Sequence, residues 1–378
     1  QQPTLLNIVG TVVFRVLEAV ITLFDGPPAV PPGSTVTPAR SALDIDCGDG
    51  YTVEADWYFP EDPNPQRLIY FQHGWPARAS FYNATAAELA ERNNAIVVAP
   101  SISGNLFACD GCFSGGDAMH AAVGELFLGD REALLASARL ASGNEELVLP
   151  QQFVLAGHSG GGLLAAGAGG FYTQYAPDER DRDLVGVLLL DTTAVGGQVS
   201  RAVDKIPEDI PVYTISAEPA QLNSFGSLNE ALVAARPDQF VGVELVGGRH
   251  SDAYRTLNPV AQFVVSLMTG FSQPQNVEAV QVLAEGWIDD WFEGTHTAAY
   301  YGPLGSTIDI STDAGTAQAR VLPTAAVQLN VIERILKFFS DSQAGLKFDY
   351  CAEDPDTRNS SETTALNRTS GACSHSDA

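Results

Sequence analysis

Short apolar runs alternate with helical patterns through the middle of the chain, from about Ala42 to Gly270. Runs of Val, Ile, Leu and Phe that end at turn residues are typical of strands buried on both faces. Helical stretches between such strands predict crossover connections, so we expect a mostly parallel, doubly wound sheet with helices on both faces. Six strands are predicted: Arg67–Gln72, Ala95–Ala99, Gln152–Ala156, Leu184–Leu190, Pro211–Ser216 and Phe240–Val246.

The N-terminal segment contains a long apolar stretch, Leu5 to Phe24, that carries a narrow polar stripe. At 100° per residue one helix face collects four polar side chains and the rest stays apolar; the four are Thr11, Arg15, Glu18 and Thr22. The pattern favours a helix docked on the protein surface, with a helix lying in a membrane surface or spanning a membrane as alternatives. A Pro-rich segment ends the helix, so residues 1–41 are predicted to form a helix and a linker.

Two segments follow the predicted 42–270 domain. Residues 271–348 contain a helix with Trp287 and Trp291, a possible hairpin at Ser306–Leu322 and a last helix through Leu336. The apolar content predicts an extension packed on the core, with a lid over the site as an alternative. Residues 349–378 are rich in Ser, Thr, Asn and Asp, so an irregular polar tail is expected.

The composition excludes some classes of partner. The formal net charge is −26, from 46 Asp and Glu against 20 Lys and Arg. Binding to nucleic acid requires clustered cations, so nucleic acid is excluded as a partner, and an anionic membrane surface is disfavoured for the same reason. Such an acidic chain is typical of a halophilic protein or of an acidic secreted one.

The chain begins at Gln1 rather than at Met, which indicates a mature, exported form whose signal peptide has been removed. Five cysteines fit an oxidising compartment, although an odd number leaves at least one thiol unpaired or in an intermolecular bond. Cys351 and Cys373 share the polar tail and are the favoured pair. Cys109 and Cys112 form a CxxC motif, but the sequence contains no second CxxC that would complete the four ligands of a zinc site. A structural disulfide that involves one or both is therefore favoured over a redox or zinc site. No metal or other cofactor is predicted.

A G-x-S-x-G pattern, Gly157-His158-Ser159-Gly160-Gly161, lies between a predicted strand and a helix of small residues. In this context the pattern is typical of a nucleophile elbow, a strained turn that exposes the serine hydroxyl at a helix N-terminus. Ser159 is the predicted nucleophile; a glycine-rich packing turn is the alternative reading.

A serine nucleophile needs a histidine base and a carboxylate that orients the base. His250 follows the last predicted strand and comes after the candidate acids, in the chain order Ser, acid, His. Asp191 closes the strand after the nucleophile helix and is the favoured acid. Glu218, after the next strand, is the main alternative, and Asp252 is a further one.

The oxyanion hole needs two backbone N–H groups. Gly160, directly after the nucleophile, provides one. The loop after the strand Arg67–Gln72 provides the other through Trp75, since Pro76 has no N–H. The side chains of Trp75 and His158 are further candidates for the wall of a substrate pocket.

These residues resemble a family. Residues 42–270 are similar to the α/β-hydrolase fold, and Gln72–Tyr82 with Ala95–Pro100 is similar to the matching loop and strand of chlorophyllases, platelet-activating-factor acetylhydrolases and cutinase-type polyester hydrolases. The resemblance implies a carboxylic-ester hydrolase without a metal cofactor. In the first two families the acid follows the strand after the nucleophile helix, which supports Asp191. In the polyester hydrolases it lies one strand later, where this chain has Ala220.

The sequence therefore predicts a secreted serine ester hydrolase, an esterase or lipase with polyesters among its candidate substrates, that acts through an acyl-enzyme. An acyltransferase with the same triad and a non-catalytic binding protein on a hydrolase scaffold are the alternatives. The expected partner is an ester, with no nucleic acid and no integral membrane span. The pattern does not indicate an oligomeric state.

Overall fold

The computed structural model describes residues 2–3, 5–176, 183–194, 196–325, 328–341 and 351–352. Within these ranges the strands are β1 Gln2–Pro3, β2 Thr37–Ile45, β3 Tyr51–Phe59, β4 Arg67–Gln72, β5 Ala95–Pro100, β6 Phe153–His158, β7 Leu184–Leu190, β8 Val212–Ser216, β9 Gly242–Leu245, β10 Thr307–Thr312, β11 Gly315–Val321 and β12 Cys351–Ala352. The helices are α1 Leu5–Thr22, α2 Asn83–Arg92, α3 Asp117–Glu125, α4 Glu132–Ser142, α5 Gly160–Tyr175, α6 Gln198–Val203, α7 Ser227–Ala235, α8 Pro259–Thr269, α9 Pro274–Glu293 and α10 Val331–Asp341.

Ten of the strands form one sheet in the order β10-β11-β9-β8-β7-β6-β4-β5-β3-β2, while β1 and β12 pair with each other. Six neighbouring strands in the middle of the sheet are parallel: β9, β8, β7, β6, β4 and β5. At the two ends, β2 and β3 on one side and the β10–β11 hairpin on the other pair antiparallel. Apolar side chains cover both faces and form two buried clusters. The predicted fold class, a mostly parallel sheet with helices on both faces, is confirmed.

The six predicted strands all occur, with ends shifted by at most two residues. The strands β2 and β3 were not predicted, because neither is a continuous apolar run: β2 alternates buried and exposed positions from Ser41 to Ile45, and the buried stretch of β3, Ala55 to Tyr58, contains Asp56. The predicted hairpin is confirmed, and it also extends the main sheet by pairing with β9. The sheet therefore takes in residues on both sides of the 42–270 range.

The helix that carries the tryptophans packs on the core. The side chain of Trp287 is fully buried, and its Nε1 donates to the carbonyl of Tyr300 at 3.0 Å. Tyr213 of β8 packs against Trp287 and Trp291. These contacts place α9 over one face of the sheet, as a core helix rather than a lid.

The N-terminal helix α1 docks along a narrow side that carries polar, small and aromatic residues. Asn7, Gly10 and Phe14 are buried or in contact with the protein, and Glu18 bonds to Ser103. The wide apolar face points to solvent, contrary to the usual arrangement in which an apolar face is buried. No helix among the described residues has the length and hydropathy needed to cross a membrane.

A disulfide joins Cys47, just after β2, to Cys112. The prediction that Cys112 or Cys109 takes part in a structural disulfide is thereby confirmed, although the partner Cys47 was not identified from the sequence. Cys373 lies outside the described residues, so the predicted Cys351–Cys373 pair stays a prediction.

Candidate active site

Ser159 occupies a strained turn between β6 and α5. Its φ of 55° and ψ of −127° lie outside the ordinary regions for a residue with a side chain. A Cβ on Gly157 would lie 2.3 Å from the carbonyl oxygen of Gly161, and a Cβ on Gly161 would lie 2.3 Å from that of Gln72. The two glycines are therefore required for the strand, the turn and the helix to approach this closely, as a nucleophile elbow demands.

His250 and Asp191 meet at the same edge of the sheet. His250 lies in a short 3-10 turn after β9, and Asp191 directly follows β7. The imidazole Nδ1 donates to Asp191 Oδ2 at 2.5 Å. Because the parallel strands β6, β7 and β9 all end at this edge, the fold places the candidate nucleophile, acid and base together.

The carboxylate of Asp191 is buried, and both of its oxygens accept hydrogen bonds. Its Oδ1 accepts from the amide N–H of Ala217 at 2.8 Å and from Asn223 Nδ2 at 3.0 Å. Burial alone would raise the pKa of Asp191, but the hydrogen bond and charge of His250, with the bonds from Asn223 and Ala217, lower it below its ordinary value. Asp191 is therefore an ionised acceptor for the imidazole. Asn223 had no signal in the sequence.

The two alternative acids have other partners. Glu218 Oε1 accepts from the amide N–H of Gly247 at 3.0 Å and lies 3.6 Å from the guanidinium of Arg320. Asp252 Oδ2 accepts from the amide N–H of Arg249 at 2.8 Å and closes the turn that carries His250. The contact with His250 Nδ1 is made by Asp191, the favoured acid.

The predicted oxyanion loop lies against the elbow. A Cβ on Gly160 would be 3.9 Å from the backbone nitrogen of Trp75, and a Cβ on Gly74 would be 3.1 Å from Ser159 Cβ. The Gly160 amide is also at the N-terminus of α5, where the helix dipole favours negative charge. The two predicted donors are thus close to each other and to the serine.

A cleft of about 320 Å³ adjoins this loop. It lies between α1 and the residues that follow β4 and β5, and Trp75, half exposed, forms part of its wall. Phe14 of α1 packs against the Trp75 ring with 5.8 Å between ring centroids. Trp75 therefore lines a cleft beside the oxyanion loop, while its predicted role in a substrate pocket stays a prediction.

His158 does not line a pocket, contrary to our expectation. It is only 3% exposed, its Nε2 lies 2.7 Å from the carbonyl oxygen of His250, and its Nδ1 lies 2.7 Å from Tyr82 Oη. A carbonyl can only accept, so Nε2 carries the proton and Nδ1 accepts from the tyrosine. Burial, assisted by the charge of His250, lowers the pKa of His158 to about 3, so the ring is neutral.

Tyr82 extends this chain to the oxyanion loop. Its Oη accepts from the amide N–H of Gly74 at 3.2 Å while it donates to His158. Three loops of the site, those of Gly74, His158 and His250, are thereby held together by one directed series of hydrogen bonds. The sequence offered no signal for this role of Tyr82.

We expect Tyr82→Phe to lower kcat by about tenfold and the free energy of unfolding by about 1–3 kcal/mol, because the N–H of Gly74 and the Nδ1 of His158 both lose a buried partner. Ester hydrolysis and urea unfolding measure the two effects. Tyr58→Phe is the control, because the Tyr58 hydroxyl is buried without a hydrogen-bond partner among the described residues. Equal behaviour of the two variants would refute a role for the Tyr82 hydroxyl.

Asp252 should make stability depend on pH. Burial raises its pKa to about 6, so the folded protein holds the proton more tightly than the unfolded chain, whose value is about 3.9. The stabilisation is complete below about pH 4 and is lost as pH rises through 6. As pH rises from 4 to 7 the wild type loses this stabilisation and Asp252→Asn does not. The free energy of unfolding of Asp252→Asn should therefore increase by about 2–3 kcal/mol relative to that of the wild type over this range. Urea unfolding across this pH range measures the change, with Asp130→Asn, at an exposed position, as the control. A difference in unfolding free energy between wild type and Asp252→Asn that stays constant with pH would contradict the prediction.

Among the described residues, no group of three or more His, Cys, Asp or Glu side chains is arranged to hold a metal ion.

No protein-family model matches this chain, and no curated protein matches it by sequence. Several solved structures are similar. Carboxyl esterase 2 of the fungus Tuber melanosporum is 14% identical, with 75% of this chain and 98% of that chain covered and a TM-score of 0.47. An esterase of Rhizomucor miehei is 18% identical (76% and 92% covered, TM-score 0.45). Brefeldin A esterase, a bacterial homologue of human hormone-sensitive lipase, is 16% identical (76% and 86% covered, TM-score 0.46).

These likenesses are too distant to carry an argument about substrate or mechanism. The similar structures are esterases, and the resemblance of this chain to chlorophyllases, platelet-activating-factor acetylhydrolases and polyester hydrolases stays a prediction. By its sheet order and its strained serine turn after β6, the chain has the α/β-hydrolase fold that the sequence predicts.

Proposed function

We propose that this chain is a serine carboxylic-ester hydrolase. The observation that carries the proposal is the Asp191–His250 hydrogen bond at the sheet edge that also bears the strained turn of Ser159. A buried carboxylate on the Nδ1 of a histidine leaves Nε2 to act as a base, and a strained serine turn exposes a hydroxyl to be activated. The triad is accordingly Ser159, His250 and Asp191.

In the proposed mechanism Ser159 Oγ attacks the ester carbonyl as His250 Nε2 takes the hydroxyl proton. The developing imidazolium is stabilised by Asp191, and the oxyanion is held by the N–H groups of Trp75 and Gly160. His250 then returns the proton to the leaving alkoxide, which departs as the alcohol. A water molecule, deprotonated by the same imidazole, cleaves the acyl-enzyme and releases the acid.

We also propose that the protein acts outside the reducing cytosol. The Cys47–Cys112 disulfide supports this location, because structural disulfides persist mainly in oxidising compartments. Polyesters remain among the candidate substrates.

The test of the proposed function is hydrolysis of p-nitrophenyl esters from acetate to palmitate at low and high salt. We expect release of free acid at a rate that depends on chain length. With glycerol present, a product that is mainly new ester would identify an acyltransferase instead. A folded protein that cleaves none of these esters and does not react with a fluorophosphonate would refute the proposal and favour a binding protein.

A further inference from the structure

The orientation of α1 is the first of three related observations. Its outward face is aliphatic, with between 48% and 64% of each side chain exposed, and includes Ile8, Val9, Val12, Val13, Val16 and Val20. The side that faces the protein carries both polar and apolar side chains: Asn7 donates to the carbonyl of Phe107, Glu18 bonds to Ser103, and Phe14 is buried. A helix that is tied to the protein along one narrow side, while most of its aliphatic side chains and Arg15 face outward, is arranged for an apolar environment with a polar boundary.

Two further helices present apolar side chains to solvent. None of the residues of α8 is buried, its sequence contains no charged residue, and its exposed side chains include Val260, Phe263, Val264, Leu267 and Met268. On α10 the side chains of Val331, Ile332, Ile335 and Leu336 are exposed as well. Exposed apolar area that recurs on separate helices marks an interaction surface.

Each of the three helices lies beside a different loop of the candidate site. Phe14 of α1 packs on Trp75 of the oxyanion loop. Thr269 at the end of α8 donates to Ser251 in the turn of His250. The helix α10 packs beside the 221–226 turn that supplies Asn223 to Asp191. These loops all follow the carboxyl ends of parallel strands, so the three apolar helices border the same edge of the sheet as the site.

The net charge of the chain and the side chains of the three helices indicate which kind of partner fits this surface. A second copy would bring together two chains of net charge −26, and an anionic membrane would also be repelled. The outward faces are mostly aliphatic, whereas protein interfaces concentrate Tyr, Trp and Arg and carry many hydrogen bonds. An uncharged, non-directional apolar phase fits both properties.

We propose that α1, α8 and α10 together form an apolar docking surface that seats the site on an electrically neutral lipid surface, and that the substrate is a water-insoluble ester drawn from that phase. The inference rests on the proposed ester-hydrolase function for its substrate class, while the docking itself does not depend on catalysis. Contact of Phe14 with Trp75 links the docked helix directly to the cleft beside the oxyanion loop.

The test is flotation of full-length Ser159→Ala with phosphatidylcholine vesicles, so that hydrolysis cannot alter the lipid. We expect co-flotation that survives 1 M NaCl, since the attraction is not electrostatic. Adding Val12→Asp and Val16→Asp should lower vesicle partitioning by more than about tenfold, because two charges would enter the apolar phase. Val148→Asp is the matched control: Val148 is 75% exposed and precedes β6, at the opposite edge of the sheet.

A second measurement separates docking from folding and from catalysis. With Ser159 intact, the Val12→Asp/Val16→Asp variant should hydrolyse soluble p-nitrophenyl butyrate within about twofold of wild type and should lose more than about tenfold of its rate on emulsified tributyrin. Absence of flotation, flotation with phosphatidylglycerol vesicles only, equal loss with Val148→Asp, or a dimer that the α1 variant dissociates would overturn the docking proposal. A protein that floats but cleaves no soluble ester would instead contradict the proposed function.

Discussion

Replacing Ser159 by alanine should lower kcat for p-nitrophenyl butyrate by about 10⁵-fold or more, because the nucleophile and the acyl-enzyme are both lost. The fold should persist, since the glycines on either side, rather than the hydroxyl, permit the close approach of β6, α5 and the oxyanion loop. The residual rate would come from the oxyanion donors and from binding alone. Steady-state kinetics measure the loss, and circular dichroism checks the fold.

Ser142→Ala, at the end of α4, is the matched control and should retain full activity. A Ser159→Ala protein that keeps even one tenth of the wild-type rate would rule out serine catalysis at this elbow.

Replacing Asp191 by asparagine should lower kcat by about 10⁴-fold with little change in KM. The carboxylate accepts the proton of His250 Nδ1, and an amide nitrogen in its place would favour the wrong tautomer of the imidazole. The low pKa of Asp191 means that the wild-type carboxylate is ionised throughout the neutral range.

Glu218→Gln is the control for this prediction. Its carboxylate is bonded to Gly247 and Arg320, so we expect activity within about twofold of wild type. A reversed result, with Glu218→Gln inactive and Asp191→Asn active, would move the acid to the loop after β8.

The sequence predicted the parallel part of the sheet because its strands are continuous apolar runs, the pattern that burial on both faces produces. It missed β2 and β3, whose apolar positions are interrupted by polar residues and therefore give a weaker signal. It also could not show that the hairpin after α9 pairs with β9, since that contact joins residues far apart in the chain.

The candidate nucleophile and base were predictable from a local pattern and from chain order. The choice between Asp191 and Glu218 was open, because both follow strands and the difference depends on which carboxylate reaches His250. The motif did not indicate where the side chain of His158 points. Its position beside Ser159 suggested a pocket wall, yet its ring is buried between Tyr82 and the carbonyl of His250.

The orientation of α1 was equally beyond the sequence. The stripe of polar residues and the wide apolar face were both visible, but which of them contacts the protein depends on tertiary partners such as Ser103 and Phe107.

The most direct test of the central claim is pre-steady-state hydrolysis of a p-nitrophenyl ester with intact-mass and peptide mapping of the quenched enzyme. The account predicts a burst of about one p-nitrophenol per active site and an acyl group on the peptide that contains Ser159. An acyl group mapped to another residue, or no acyl group after a full burst, would contradict it.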